Sequence, residues 1–112
     1  MPVFERGTIV SVPFRYTSGD LRQKRPALVI SNGPLANGML LWVLMITSAQ
    51  NRRWPDDVDL PNTSQTGLPA PSIVRTLKIA TIEATAATPI GAVDKATLKL
   101  VDHALRGHLQ LA

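Results

Sequence analysis

Met39-Leu-Leu-Trp-Val-Leu-Met-Ile-Thr47 is the most apolar stretch of the chain, and its reading decides the fold. Nine residues would suit a short helix as well as a strand. Trp42, Val43, Ile46 and Thr47, together with the Asn37-Gly38 turn in front of them, favour extended backbone, because aromatic and β-branched side chains fit a pleated surface. A strand apolar at nearly every position is covered on both faces, so it belongs in the middle of a sheet.

Working outward, Pro26 to Ser31 reads as a second short strand buried on both faces. Thr8 to Phe14 alternates, with Val10, Val12 and Phe14 on one face and Ser11 and Pro13 on the other, and Pro13 argues for a sheet edge. Between these, Tyr16 to Arg25 has no strand or helix period and reads as a polar, cationic loop. On the other side, Ser48 to Asp57 is a polar loop carrying Arg52, Arg53 and Trp54. It is followed by a short strand near Val58 to Leu60 and a Pro- and Gly-marked loop from Pro61 to Pro71. Ser72 to Arg75 and Leu77 to Ile82 are two short strand pieces. The last segment is helical, with Asp94 as N-cap, Val93 and Leu98 as a hydrophobic staple, a stripe of Leu98, Val101, Leu105 and Leu109, and Gly107 weakening its final turn. The expected fold is mainly β, a small barrel or strongly bent sheet of antiparallel strands with a C-terminal amphipathic helix packed on it.

A chain of 112 residues suffices for one core, so residues 1–112 are expected to form a single domain. The absence of cysteine excludes disulfides, thiol nucleophiles and cysteine-based zinc sites, and no metal or other cofactor is expected. The start, Met-Pro-Val-Phe-Glu-Arg, lacks the basic and apolar pattern of a secretion signal, and no apolar run is long enough to span a bilayer, so the cytoplasm is the expected location. The net charge of +4 points to an acidic partner. Arg15, Arg22, Lys24, Arg25, Arg52 and Arg53 face a single acid, Asp20, between Arg15 and Trp54, so the positive charge is concentrated. Such a patch reads either as a solvated basic surface or as a nucleic-acid-binding face.

Three segments place an arginine or a hydroxyl where a strand runs into a loop: Lys24-Arg25-Pro26, Ile46-Thr47-Ser48 and Pro71-Ser-Ile-Val-Arg75-Thr76. Strand ends project side chains from a rigid support, which suits a phosphate-binding site. These segments resemble the MazF/PemK family of toxin ribonucleases. The resemblance runs through Gly7-Thr-Ile-Val-Ser-Val-Pro-Phe14, Lys24-Arg-Pro-Ala-Leu-Val-Ile-Ser31, Met45-Ile-Thr-Ser48, Gly67-Leu-Pro-Ala-Pro-Ser-Ile-Val-Arg75, Lys78-Ile-Ala-Thr-Ile82 and Ile90-Gly91. Each piece alone is weak, and their order and intervals together are specific.

The resemblance implies a compact barrel related to the SH3-like and CcdB-like folds, assembled as a homodimer. It also implies metal-independent cleavage of single-stranded RNA, usually messenger RNA, at short sequences. In that reaction a ribose 2′-hydroxyl attacks the adjacent phosphate, leaving a 2′,3′-cyclic phosphate and a free 5′-hydroxyl. The family's catalytic arginine and threonine map onto Arg25 and Thr47. A guanidinium matches the negative charge gathering on phosphorane oxygens with parallel donors, and a threonine hydroxyl adds one short hydrogen bond. Arginine is a poor general base, so Arg25 is assigned to charge stabilisation and proton donation to the leaving oxygen, with Thr47 orienting the phosphate.

Arg15, Arg22, Lys24, Ser48, Arg52, Arg53, Trp54 and Arg75 are the expected RNA contacts, around a groove where the Arg15 to Arg25 and Ser48 to Trp54 loops meet. Arg75 reads equally as the member of a local ion pair. Trp54 reads equally as a base-stacking platform or as a side chain tucked against its own barrel or an antitoxin. Some family members carry an aspartate two residues after this arginine; here Leu77 stands there, which removes the natural proton acceptor and leaves Asp20 as a guess. Trp42 is expected in the core or a dimer interface. His103 and His108 are five apart on the helix and share no face. The family precedent also implies an acidic, partly disordered antitoxin tail lying over the groove. The rival reading is a non-catalytic, CcdB-like poison of a protein target such as a topoisomerase, which has no need of a phosphate-clamping pair.

Overall fold

A computed structural model of the chain describes residues 4–15, 22–61 and 64–111, without the side chains of Phe14, Arg15 and Arg22. The strands are β1 (Thr8–Arg15), β2 (Arg22–Val29), β3 (Leu40–Ser48), β4 (Val58–Leu60), β5 (Ser72–Glu83) and β6 (Thr88–Ala92), followed by helix α1 (Lys95–Leu109). One-turn 3-10 helices occupy Ser64–Thr66 and Ala84–Ala86. All neighbours are antiparallel, in a six-stranded sheet ordered β4-β5-β3-β2-β1-β6.

The apolar stretch is the sheet's inner strand, with β2 on one side and β5 on the other. Its side chains alternate between two cores. Leu41, Val43 and Met45 join Val10, Val12, Ala27 and Val29 on one face, with Phe4 and Ala84. Leu44 and Ile46 join Ile9, Leu28, Val58, Leu60, Val74 and Val101 on the other, under α1. Val43 and Leu44 are fully buried, which explains why this segment shows no polar alternation. A side chain the size of Leu44 stabilises the fold by roughly 1.5–3 kcal/mol through burial alone.

The sheet curls into a half-barrel. Beyond β4, the backbone at Thr66–Gly67 crosses directly over Ile90–Gly91 of β6, at the opposite edge of the sheet. A Cβ on Gly67 would lie 1.9 Å from the Ile90 carbonyl oxygen, and one on Gly91 would lie 2.1 Å from that of Thr66. Only glycines allow this approach, and Gly67 also sits at φ +70°.

Asp94 caps α1 as expected: its carboxylate accepts from the Thr97 N–H at 2.7 Å. Hydrogen bonds from Thr97 hold the Asp94 carboxyl below the usual carboxylate range. Gly107 does not stop the helix, which ends at Gln110 in a left-handed conformation whose N–H reaches back to the last turn. No helix among the described residues is long and apolar enough to cross a membrane.

Several expectations need correction. Arg22 to Arg25 are strand, paired with Arg15 to Val12, because an antiparallel ladder is indifferent to side-chain polarity once it extends past the core. Residues 16–21 of the expected loop, Asp20 among them, lie outside the described residues, as do the side chains of Arg15 and Arg22. β1 is not an edge strand, although Pro13 lies beyond Ser11, where pairing with β6 ends. The two strand pieces after Ser72 are one strand whose register against β3 jumps between Ile79 and Arg75, so Thr76, Leu77 and Lys78 form an irregularity. β6 is unannounced by its sequence, Thr-Pro-Ile-Gly-Ala, which carries little strand propensity. Of the two places expected for Trp42 the core is not the one it takes, since it is 49% exposed, and Leu109 at the end of the helical stripe is 65% exposed.

Candidate active site

β2 and β3 pair through Ala27, Leu28 and Val29 against Met45, Leu44 and Val43, and the Ile30 N–H adds a bond to the Trp42 carbonyl at 3.0 Å beyond Val29. On the other side of Ala27 and Met45, β2 continues beside β1 and β3 continues beside β5, so the two strands part. Pro26, which has no N–H to offer a neighbouring strand, stands where they separate. The opening is a pocket of about 350 Å³ lined by Arg25 and Pro26 on one side and by Ile46, Thr47, Ser48 and Asn51 on another. Leu68 to Ser72 close it.

Arg25 and Thr47, which are 22 residues apart by number, therefore meet at the walls of one cavity. Both are half-buried, held by strand backbone and open to the pocket. Around them are the hydroxyls of Ser48 and Ser72 and the amide of Asn51, whose Nδ2 donates to Thr47 Oγ1. Ser72 Oγ donates to the Ala70 carbonyl at 2.9 Å, which shapes the turn entering β5. Among the described residues that line the pocket there is no carboxylate and no histidine. A guanidinium, several hydroxyls and an amide, set among prolines and aliphatic side chains, suit an anion flanked by less polar groups, as in a phosphodiester between nucleosides.

The other expected contacts divide. Lys24, Arg52 and Arg53 are exposed and do not line the pocket, and Arg53 shares an exposed ion pair with Asp59 at 2.9 Å, an arrangement of little energetic weight. Arg75 does not line the pocket. It is 7% exposed, donates from Nη2 to the Arg52 carbonyl at 2.8 Å, and lies 3.6 Å from the buried Asp57 carboxylate. Its guanidinium carbon sits 4.3 Å from the centroid of the Trp54 ring. Of the two readings of Arg75, the local contact with a carboxylate is visible in this geometry, with the guanidinium buried beside Asp57 and beneath Trp54.

Trp54 is half-exposed above it, so one ring face packs on its own protein. Thr76 adds a second tether, donating to the Asp56 carbonyl at 2.9 Å and lying 3.0 Å from His108 Nε2 of α1. Leu77 is exposed and away from the pocket. Sequence reasoning missed Asn51 and the Leu68 to Pro71 wall. The only signals were an Asn in a turn and a Pro-rich loop, both of which occur without function.

The fold resembles solved structures at low sequence identity. A MazE–MazF structure from Deinococcus radiodurans superposes with a TM-score of 0.80 at 22% identity, covering 100% of both chains. An endoribonuclease in complex with its cognate antitoxin, from a mycobacterial species, gives 0.72 at 21% identity over 98% of both chains. The Mycobacterium tuberculosis toxin MazF-mt6 gives 0.66 at 18% identity, covering 92% of this chain and 97% of that one. No curated protein matches the sequence. The model of the PemK-like, MazF-like toxins of type II toxin-antitoxin systems, in contrast, matches residues 5–109, nearly the full length over which the strands, the pocket and the capped helix have been traced. The chain belongs to that PemK-like, MazF-like toxin family.

Proposed function

We propose that the protein is a toxin endoribonuclease that cuts single-stranded RNA, most simply messenger RNA, without a metal ion. The observation that carries the reading is the meeting of Arg25 and Thr47 in one pocket that opens where β2 and β3 part. Family membership supports it, as does the resemblance to a fold found in a protein named an endoribonuclease. In the proposed reaction the 2′-hydroxyl gives its proton to solvent water as its oxygen attacks the adjacent phosphate and the bond to the 5′-oxygen breaks. Arg25 neutralises charge on the phosphorane and passes the departing 5′-oxygen a proton that it regains from solvent, and Thr47 orients a non-bridging oxygen. The products are a 2′,3′-cyclic phosphate and a 5′-hydroxyl. Lys24, Ser48, Arg52, Arg53 and the open face of Trp54 hold the flanking strand, with Arg15 and Arg22 at the hairpin side, and Arg75 supports them from beneath.

A cognate antitoxin would silence the enzyme in the cytoplasm by covering the same basic groove. The working form is a homodimer. Trp42 and Ile79, which is 57% exposed, are diagonal neighbours on β3 and β5 and offer apolar surface to a second copy.

The test is digestion of a long RNA by purified protein in EDTA, with the fragment ends mapped. Cleavage with 5′-hydroxyl ends is expected, and intact RNA would defeat the enzyme reading. Arg25→Ala is expected to lower the rate about a hundredfold or more while leaving melting and oligomeric state unchanged. Cleavage at the wild-type rate by that variant would remove Arg25 from the site and favour a non-catalytic poison of a protein target.

A further inference from the structure

The turn after β3 holds a side chain with no assigned role. The Asn51 N–H donates to the Ser48 carbonyl at 3.0 Å and the Gln50 N–H donates to Ser48 Oγ at 3.2 Å, so residues 48–51 form a tight turn capped by a serine. That turn folds the Asn51 side chain back over the strand end, where Nδ2 donates to Thr47 Oγ1. The next residue is moored as well, since the Arg52 carbonyl accepts from the buried Arg75. Asn51 itself is exposed and fills no core space, so packing does not account for its placement.

A threonine hydroxyl has one proton and two lone pairs. With a lone pair engaged by the Asn51 amide, the hydroxyl acts toward the pocket as a donor, the role that a phosphate oxygen requires. We infer that Asn51 is a positioning residue for RNA cleavage, donating to Thr47 Oγ1 so that the Thr47 proton is presented to the scissile phosphate. The inference rests on the reading of this pocket as the cleavage site.

Asn51→Asp nearly preserves shape and reverses the polarity. A carboxylate accepts the Thr47 proton instead of leaving it for the substrate, and it adds negative charge beside the phosphate. Asn51→Ala removes the bond alone. With the full-length protein and an RNA oligonucleotide in EDTA, Asn51→Ala is expected to lower kcat about tenfold with KM within about twofold. Asn51→Asp is expected to lower kcat further, toward a hundredfold. In a Thr47→Val background Asn51→Ala should cost nothing more, because the hydroxyl it acts through is gone, and Asn51→Asp should keep only the smaller cost of its charge beside the phosphate.

Wild-type kcat in both single variants would overturn the proposal, as would an undiminished loss in the Thr47→Val background, since either makes Asn51 a turn residue only. Where Thr47→Val falls below detection, the order of the single variants at unchanged melting temperature decides, and Asn51→Asp cutting as fast as Asn51→Ala overturns the proposal. RNA left intact by the wild-type protein would sink the function and this role together. Cleavage that is lost with Arg25→Ala and indifferent to Asn51 would sink this role alone.

Discussion

The segment from Ala49 to Asp57 gives the pocket Asn51 and the segment from Ser64 to Pro71 gives it Leu68 to Pro71, and the two are anchored by different means. The first is held by side chains. Arg75 reaches up from β5 to the Arg52 carbonyl, Asp57 and the Trp54 ring, while Thr76 ties the Asp56 carbonyl to α1 through His108. The second is held by backbone lying on backbone, Thr66–Gly67 against Ile90–Gly91, with no room for a Cβ at either glycine. The Ala49 N–H to Pro71 carbonyl bond, at 3.0 Å, joins the two.

A wall anchored from below by buried side chains leaves its exposed tip, Arg52 and Arg53, free to differ without moving the residues at its base. A wall anchored by close backbone approach tolerates change at its exposed prolines and none at the crossing. The first arrangement suits a surface that selects a substrate, and the second suits one that only has to stay where it is.

The comparison is broken most severely at Arg75. Arg75→Met removes the cation 3.6 Å from the buried Asp57 carboxylate, leaves that carboxylate only the Trp54 N–H, and frees the Arg52 carbonyl; it is expected to cost about 3 kcal/mol, read as a lower urea midpoint at constant slope. Adding Asp57→Asn should recover part of the loss, because no charge is then left alone. A single-variant cost within about 1 kcal/mol would mean that the loop is not held this way. Gly91→Ala is the corresponding break on the other wall. It forces Thr66 and Gly67 away from β6 and is expected to cost about 2–3 kcal/mol by the same measurement, a value near zero being incompatible with the crossing. Trp54→Ala sharpens the contrast with the smallest change. It removes one partner of an open cation–π contact and should lower stability by only about 0.5–1 kcal/mol, while RNA affinity falls further if the exposed ring face stacks a base. Equal and negligible effects on both would return Trp54 to an idle surface role.

The strands were legible where burial imposes a pattern. Val10 and Val12 alternate with the half-buried Ser11 and Pro13, and the run through β3 is apolar because it is covered on both sides. Polar strand ends were not legible: Arg22 to Arg25 look like loop because composition reports exposure, whereas strand pairing needs only backbone. β6 escaped for a related reason, being an edge strand of weak formers whose place depends on Gly67 and Gly91. Trp42 was assigned to a core or an interface by its apolar surroundings, and only the position of α1 relative to the sheet shows that the fold leaves it open.

For the candidate site, the residue types at 25 and 47 were readable from the Lys-Arg-Pro and Ile-Thr-Ser segments and from the family they resemble. Asn51 was not assignable in that way, and Arg75 was assignable only to two equal alternatives. One is an ordinary turn residue until its amide is seen on Thr47, and the other is a plausible RNA contact until it is seen buried under Trp54.

Taken by itself, the order of residues determined an aliphatic, mainly β protein with one capped C-terminal helix, concentrated positive charge and the family's spaced motifs, because alternation, capping and charge density are properties of near neighbours along the chain. Tertiary structure alone decided that β2 and β3 separate after Ala27 and Met45, that Arg25 and Thr47 share the resulting cavity, and that Arg75 serves as a post beneath its rim. Those outcomes depend on which distant segments pair and where their pairing stops, and hydrogen bonds between distant backbones leave no periodic mark in the sequence.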